Sequence, residues 1–259
     1  MTFDITRHCV SQDDADRLYV TFPELKRGDC PTCRGRGFYI HGLGEHECDC
    51  SMQLQLAKHY GVAGIGRPYQ RLDWSDWRGD QGVVEPVTEY LLLHERMVDR
   101  GIGLLLHGPN GTGKTFVAMM VLKELVRRGY TCWSTTFSDT IESFTKTWGN
   151  PEEKQWFARK FMTSQVLLLD DLGREMRSSS NLAMSTFDSI LRTRVSNGRP
   201  TLLTTNLGIK ELGSGYGAGV LSLLKEASIQ ISFTGTDFRN DAHDRTLSEV
   251  RAGADRPIV

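Results

Sequence analysis

Gly108-Pro109-Asn110-Gly111-Thr112-Gly113-Lys114-Thr115 reads G-x-x-x-x-G-K-T, the P-loop pattern. The apolar run Ile102-Gly103-Leu104-Leu105-Leu106 before it is of strand type. After it, Val117, Val121 and Leu125 recur at helical spacing as far as Gly129, a natural C-cap. Strand, glycine loop and helix in that order turn a string match into a site. Glycines let successive backbone N–H groups turn inward around phosphate oxygens, and the helix N-terminus adds its positive dipole end. Lys114 is placed to reach the β- and γ-phosphates and Thr115 to hold magnesium; Phe116 completes the candidate nucleotide-binding stretch.

Working outward, the 259 residues suit one large domain, or one domain with a smaller appendage. The formal net charge of −1 argues against bulk attraction to nucleic acid but is compatible with a local basic groove. No stretch has the apolar length of a membrane span, and Met1 to Arg7 has no apolar signal core, so a soluble, cytoplasmic protein is expected. Six cysteines in such a setting favour metal or free thiols over disulfides.

Four of them fall in one window, Cys30-Pro31-Thr32-Cys33 and Cys48-Asp49-Cys50, with Gly35, Gly37, Gly42 and Gly44 between. C-x-x-C is the usual zinc-knuckle spacing, and C-x-C is a tighter bite, so His41 and His46 are alternative ligands. A zinc ion held entirely by protein groups would be structural. With the short helix expected over 52–58, these turns form a small N-terminal module, residues 1–64, whose meagre core would rely on metal. Gly64, Gly66 and Pro68 mark a connector, and a domain over 66–240 follows. Cys132 reads as a core residue, and residues 241–259 as a loose polar tail.

A helix is expected over 84–98, with His94 at the core edge. Beyond the P-loop, strands and helices alternate. Tyr130–Phe137 reads as a strand, Asp139 with Glu142 as a capping box, and Asn150-Pro151 as a second helix start. Further strands are read at 165–171, 201–206 and 229–233, with a helix through Ala183, Phe187 and Ile190 ending at Asn197-Gly198. Continuous apolar strands alternating with helices predict an α/β fold, a parallel sheet covered by helices on both faces.

Leu167-Leu168-Leu169-Asp170-Asp171 is a Walker-B type segment ending at the carboxyl end of its strand, where ligands of such sheets sit. Asp170 is read as positioning magnesium opposite Thr115, and Asp171 as the general base that polarises the attacking water. Asn206 ends the next strand and is read as a γ-phosphate sensor, provided that its strand neighbours the P-loop strand.

The P-loop, Leu168-Leu169-Asp170-Asp171-Leu172-Gly173-Arg174-Glu175, Thr204-Thr205-Asn206-Leu207 and Gly235-Thr236-Asp237-Phe238-Arg239 together resemble the DnaC/DnaI-type replicative helicase loaders, AAA+ ATPases related to the transposition ATPase IstB. The likeness covers roughly residues 66–240. It implies a P-loop NTPase of the AAA+ class that uses ATP and magnesium and self-associates through that domain. It also implies action on a replicative ring helicase and contact with single-stranded DNA, with Arg239 at the sensor-2 position. The cysteine cluster resembles the zinc-bearing helicase-binding domains of some loaders. One departure is that Leu223 stands where loaders carry an arginine reaching the neighbouring subunit's ATP; Lys225, Arg192 and Arg194 lie near but out of register. Slow hydrolysis, or ATP used as a switch, follows from that loss. Competing readings are an IstB-like transposition helper, a zinc-organised adaptor with little hydrolysis, and a small-molecule P-loop kinase. Arg174 and Arg177 are candidates to face a central pore.

Overall fold

Leu104, Leu105 and Leu106 are fully buried, which places the P-loop strand at the centre of the protein. The computed structural model describes residues 30–173, 181–252 and 256–259. The first 29 residues of the 1–64 module, and Arg174 and Arg177, lie outside the described residues.

The described chain begins with a hairpin, β1 (Phe38–His41) and β2 (Gly44–Glu47), followed by α1 (Asp49–Val62) and the short α2 (Arg67–Gln70). Two 3₁₀ turns, Trp74–Asp76 and Gln81–Val83, lead to α3 (Val84–Leu92) and α4 (His94–Asp99). Where the periodicity predicts one helix over 84–98, the chain turns at Leu93 (φ −100°, ψ 15°) and makes two. His94 sits at the core edge, its Nδ1 3.0 Å from the Tyr130 hydroxyl.

Then come β3 (Gly103–His107), α5 (Lys114–Arg127), β4 (Cys132–Thr136), α6 (Phe137–Lys146) and α7 (Pro151–Phe157), which runs into a π-helical turn, Ala158–Thr163. β5 (Val166–Leu172), α8 (Asn181–Ser196), β6 (Thr201–Thr205), α9 (Ile209–Tyr216), α10 (Ala218–Ala227), β7 (Ser228–Ser232) and α11 (Arg239–Arg251) complete the chain. Asn150 caps α7 as its sequence predicts, accepting from the Glu152 and Glu153 amides. α6 differs: its cap is Thr136, whose hydroxyl accepts the Asp139 N–H at 3.1 Å, so the helix starts two residues before Asp139.

The large sheet has the order β4-β5-β6-β3-β7, and every pair in it is parallel. β6 therefore lies between the Walker-B strand and the P-loop strand, the neighbour relation that the reading of Asn206 requires. One side of the sheet packs on α5 through Leu104, Leu168 and Leu202; the other packs on α8 and the π-turn through Leu105, Leu167 and Leu203. Fully buried strands explain the continuous apolar runs.

Two packing relations differ from the sequence reading. The first is α1, twice the length expected. Leu54, Ala57 and Tyr60 on it are fully buried in the same core as Val117, Val121 and Leu125 of α5. Beyond it, the Ser134 N–H of β4 donates to Ala63 O (2.8 Å), its hydroxyl to Gly64 O (2.8 Å), and Lys160 Nζ to Val62 O (3.0 Å). Gly64 needs its glycine: φ is 75°, and a Cβ there would collide with Ser134 O. The 61–68 connector is thus a joint in the chain but not in the packing.

The second is the stretch 241–259, expected to be loose. It forms α11 to Arg251 and then returns to the body. Arg256 makes a bidentate pair with Asp76 (both contacts 3.0 Å), and Arg245 Nη1 lies 3.1 Å from the same carboxylate. Ile258, 1% exposed, joins the core, and Gln53 of α1 bonds both its N–H (2.6 Å) and its carbonyl (2.7 Å). Asp76 is buried, so its charge requires these guanidinium partners. Buried Lys123 of α5 acts similarly on the opposite sign, donating to the carbonyls of Tyr69 (3.1 Å), Gln70 (3.2 Å) and Leu72. Burial pushes its pKa down to about 8.

Candidate nucleotide-binding and metal sites

β3 delivers the chain into the loop 108–113, and α5 takes it out at Lys114. Gly113 (φ 91°) closes the turn, a conformation that favours glycine. Lys114 is buried, and its Nζ donates to Gly108 O (2.9 Å) and Pro109 O (2.6 Å). Desolvation lowers its pKa, the Arg239 charge adds to this, and Asp171 and Asp170 oppose it. Thr112 braces the loop through its hydroxyl bond to Pro109 O (2.9 Å).

Across from it, Thr115 Oγ1 donates to Asp170 Oδ1 at 2.9 Å, so the P-loop and Walker-B ends meet. Thr204 of β6 donates to the same oxygen. Burial raises the Asp170 pKa, while those two hydroxyl bonds pull it down. Register between β5 and β6 slips between Leu169 and Leu172, and Asp171 takes φ 60°, rare for a residue with a side chain. Its N–H leaves the ladder for Thr204 Oγ1 (2.9 Å), and its carboxylate accepts Asn206 Nδ2 at 3.0 Å. Strained backbone of this kind persists where surrounding bonds fix it and marks functional positions. Lys114 and Thr115 at the start of α5, Asp170 and Asp171 on β5 and Asn206 just after β6 are thus brought together.

Magnesium suits the donor set here. Thr115 and Thr204 hydroxyls and the Asp170 and Asp171 carboxylates are all hard oxygen ligands. Thr115 and Asp170 would hold the ion, which would neutralise phosphate charge.

Phe116 packs in an aromatic cage: Trp77 stacks on it (centroids 5.7 Å apart) and Trp74 meets it edge-on (6.5 Å). A side chain at Gly113 would strike the Trp77 ring. The sequence assigns no role to Trp77, and Thr204 and Asp237 enter it only as members of the T-T-N-L and G-T-D-F-R runs.

Upstream of the P-loop, Cys30, Cys33, Cys48 and Cys50 bring their four sulfurs within 4.8 Å of one another. Cys30–Cys48 and Cys33–Cys50 are 3.6 and 3.3 Å apart. A tetrahedral zinc with Zn–S of about 2.3 Å needs sulfurs about 3.8 Å apart, so the cluster fits the ion. Arg34 (φ 51°) and Gly35 (φ 85°) form the knuckle, closed by Arg34 N–H to Cys30 O at 2.9 Å. Cys48 is the N-cap of α1 and Cys50 lies in its first turn, so the helix start fixes the second pair of sulfurs. His41 and His46 instead face each other on the hairpin, ring centroids 6.2 Å apart. Purified protein is expected to carry about one zinc per chain, lost on Cys33→Ser. Amide exchange should then rise over 30–48 but not over 54–62, which the core holds. Elemental analysis finding no zinc in reduced protein rules the site out.

The sequence model of the IstB-like ATP binding proteins matches residues 74–224, more than half the chain. The chain belongs to that family. Its core is 28% identical over 151 residues to the replicative helicase loader DnaI of Bacillus subtilis, covering 57% of this chain and 46% of that one. It is 30% identical over 113 residues to an insertion-sequence ATP-binding protein of Mycobacterium tuberculosis, covering 43% of each. The chain thus spans less than half the length of these two curated relatives. In structure it resembles the crystallised DnaC helicase loader (TM-score 0.59, 22% identity), over 65% of this chain and all of that one. The fold is that of an AAA+ P-loop ATPase. Among the described residues, no helix is long and apolar enough to cross a membrane.

Proposed function

We propose that this protein is an ATP-dependent loader that places a replicative ring helicase on single-stranded DNA. In this reading the Gly108–Phe116 stretch binds ATP, Thr115 and Asp170 hold magnesium, and Asp171 with Asn206 orients the attacking water. Arg239 faces the γ-phosphate, and the zinc-bearing module over 1–64 grips the helicase. The observation that carries it is the building of the cysteine cluster onto α1, which is seated in the ATPase core. A partner held at the cysteines would be coupled rigidly to the nucleotide site. The likeness to DnaI adds support for the helicase as that partner.

Hydrolysis is slow in this reading. Arg194 is fully buried, its guanidinium engaged by five acceptors, and is unavailable to a neighbouring subunit. Leu223 packs on the core, and Arg192 is paired with Asp188 at 2.8 Å. Arginine fingers contribute about 10³–10⁵ in rate, so ATP acts chiefly as a switch. Full-length protein with ATP should retain its host's replicative helicase on an affinity column, and Cys33→Ser should not. Equal retention by the two proteins removes the module's role; retention of a transposase instead of the helicase favours the insertion-sequence reading.

A further inference from the structure

After β7 the chain runs alongside the P-loop. Phe233 N–H donates to His107 O at 2.7 Å, and Phe238 N–H to Gly111 O at 3.0 Å. Gly111 lies in the middle of the glycine loop, whose left-handed turns aim backbone N–H groups at phosphate. Its φ is 76°, and a Cβ would collide with the Asp237 carboxylate, which lies on the loop backbone at that point. The same carboxylate accepts the Arg239 N–H through Oδ1 at 2.9 Å, and its Oδ2 is 3.9 Å from the Arg239 guanidinium. Asp237 therefore touches the P-loop on one side and the first residue of α11 on the other. Arg239 itself is mostly exposed, and among the described residues its ion-pair partner is Asp237.

We infer that Asp237 is a positioning residue: seated on Gly111, it fixes the start of α11 so that Arg239 is held over the terminal phosphate of a bound nucleoside triphosphate. The inference rests on the assignment of Arg239 proposed above. Asp237 touches no phosphate in this role, because a carboxylate there would be repelled; it acts through Arg239. Its removal should cost triphosphate binding and spare diphosphate binding, since only the terminal phosphate requires the guanidinium.

The test measures affinities of the full chain for a non-hydrolysable ATP analogue and for ADP, each with magnesium, by calorimetry. Arg239→Ala is expected to weaken the triphosphate about tenfold, the size of one charge-assisted hydrogen bond, and ADP less than twofold. Asp237→Ala should reproduce that pattern. Asp237→Asn, which keeps the shape and the acceptor for the Arg239 N–H, should restore most of the lost triphosphate affinity. The double variant should be no weaker than either single one. If Arg239→Ala shifts the triphosphate-to-diphosphate ratio and Asp237→Ala does not, the positioning role is overturned and the Arg239 assignment stands. Equal losses for both nucleotides in Asp237→Ala, or losses that add in the double variant, also overturn it. An unchanged ratio in Arg239→Ala overturns the Arg239 assignment and this inference with it.

Discussion

Lys114→Ala is expected to weaken ATP binding by about a hundredfold or more, leaving the fold intact. In the free protein the ammonium satisfies only two carbonyls of its own loop, Gly108 and Pro109. Those carbonyls can take water once the side chain is gone. The phosphates have no such substitute. No other cation projects from the loop, and charge-assisted bonds to two phosphate oxygens are each worth about 1.5–3 kcal/mol. Asp171→Asn should behave oppositely, binding ATP normally and turning it over more slowly. Fluorescence titration decides the matter: equal affinity in wild type and Lys114→Ala would remove the phosphate-cradle assignment altogether.

Arg194→Met should lower stability by about 3–5 kcal/mol. The guanidinium ties the π-turn and the entry to β5 to the entry to β6. It donates to the carbonyls of Phe161 (3.0 Å), Ser164 (3.0 Å), Gln165 (3.2 Å) and Pro200 (2.7 Å), and to the Thr201 hydroxyl (3.0 Å). Methionine fills similar volume but removes all five donations, and of the acceptors Pro200 O keeps the Leu167 N–H. Lysine cannot rescue the site, because its three donors on a point charge do not match a planar fork. Thermal unfolding of Arg194→Met should drop by about 6–20 °C, at about 2–4 °C per kcal/mol for a chain of this size. A drop of only a degree or two would show that the network contributes little.

Arg194 also illustrates what the sequence conceals. A lone arginine near a helix end reads as surface, and its five acceptors are spread over residues 161–201. Main-chain acceptors leave no compositional signal. The strands around the nucleotide site were legible because burial on both faces writes continuous apolar runs such as Val166–Leu169. The P-loop helix and the Asn150 cap were legible for equally local reasons. Asp170, Asp171 and Asn206 could be placed at strand ends, but the left-handed turn at Asp171 depends on Thr204 capturing its amide, a contact between strands. α1 looked short because its first turn is polar and its apolar face is shared with α5. The last residues looked loose because a short apolar end, Pro257-Ile258-Val259, after a long polar stretch carries little weight; Gln53, 205 residues from Ile258, and Asp76, 180 residues from Arg256, give it its seat.

The docking of residues 62–64 on β4 bears on solubility as well as on shape. β4 is the outer strand of the five-stranded sheet, and such a strand offers unpaired amides and carbonyls to any extended segment that meets it. Here Ala63 and Gly64 engage Ser134 through main chain and hydroxyl, and Lys160 anchors the turn from beside them. The segment that carries the cysteine-bearing helix into the core thus also covers this edge of the sheet at Ser134 against strand addition. Pulling α1 away, by force, truncation or a bulky residue at position 64, would free a helix and open a template for aggregation in the same event.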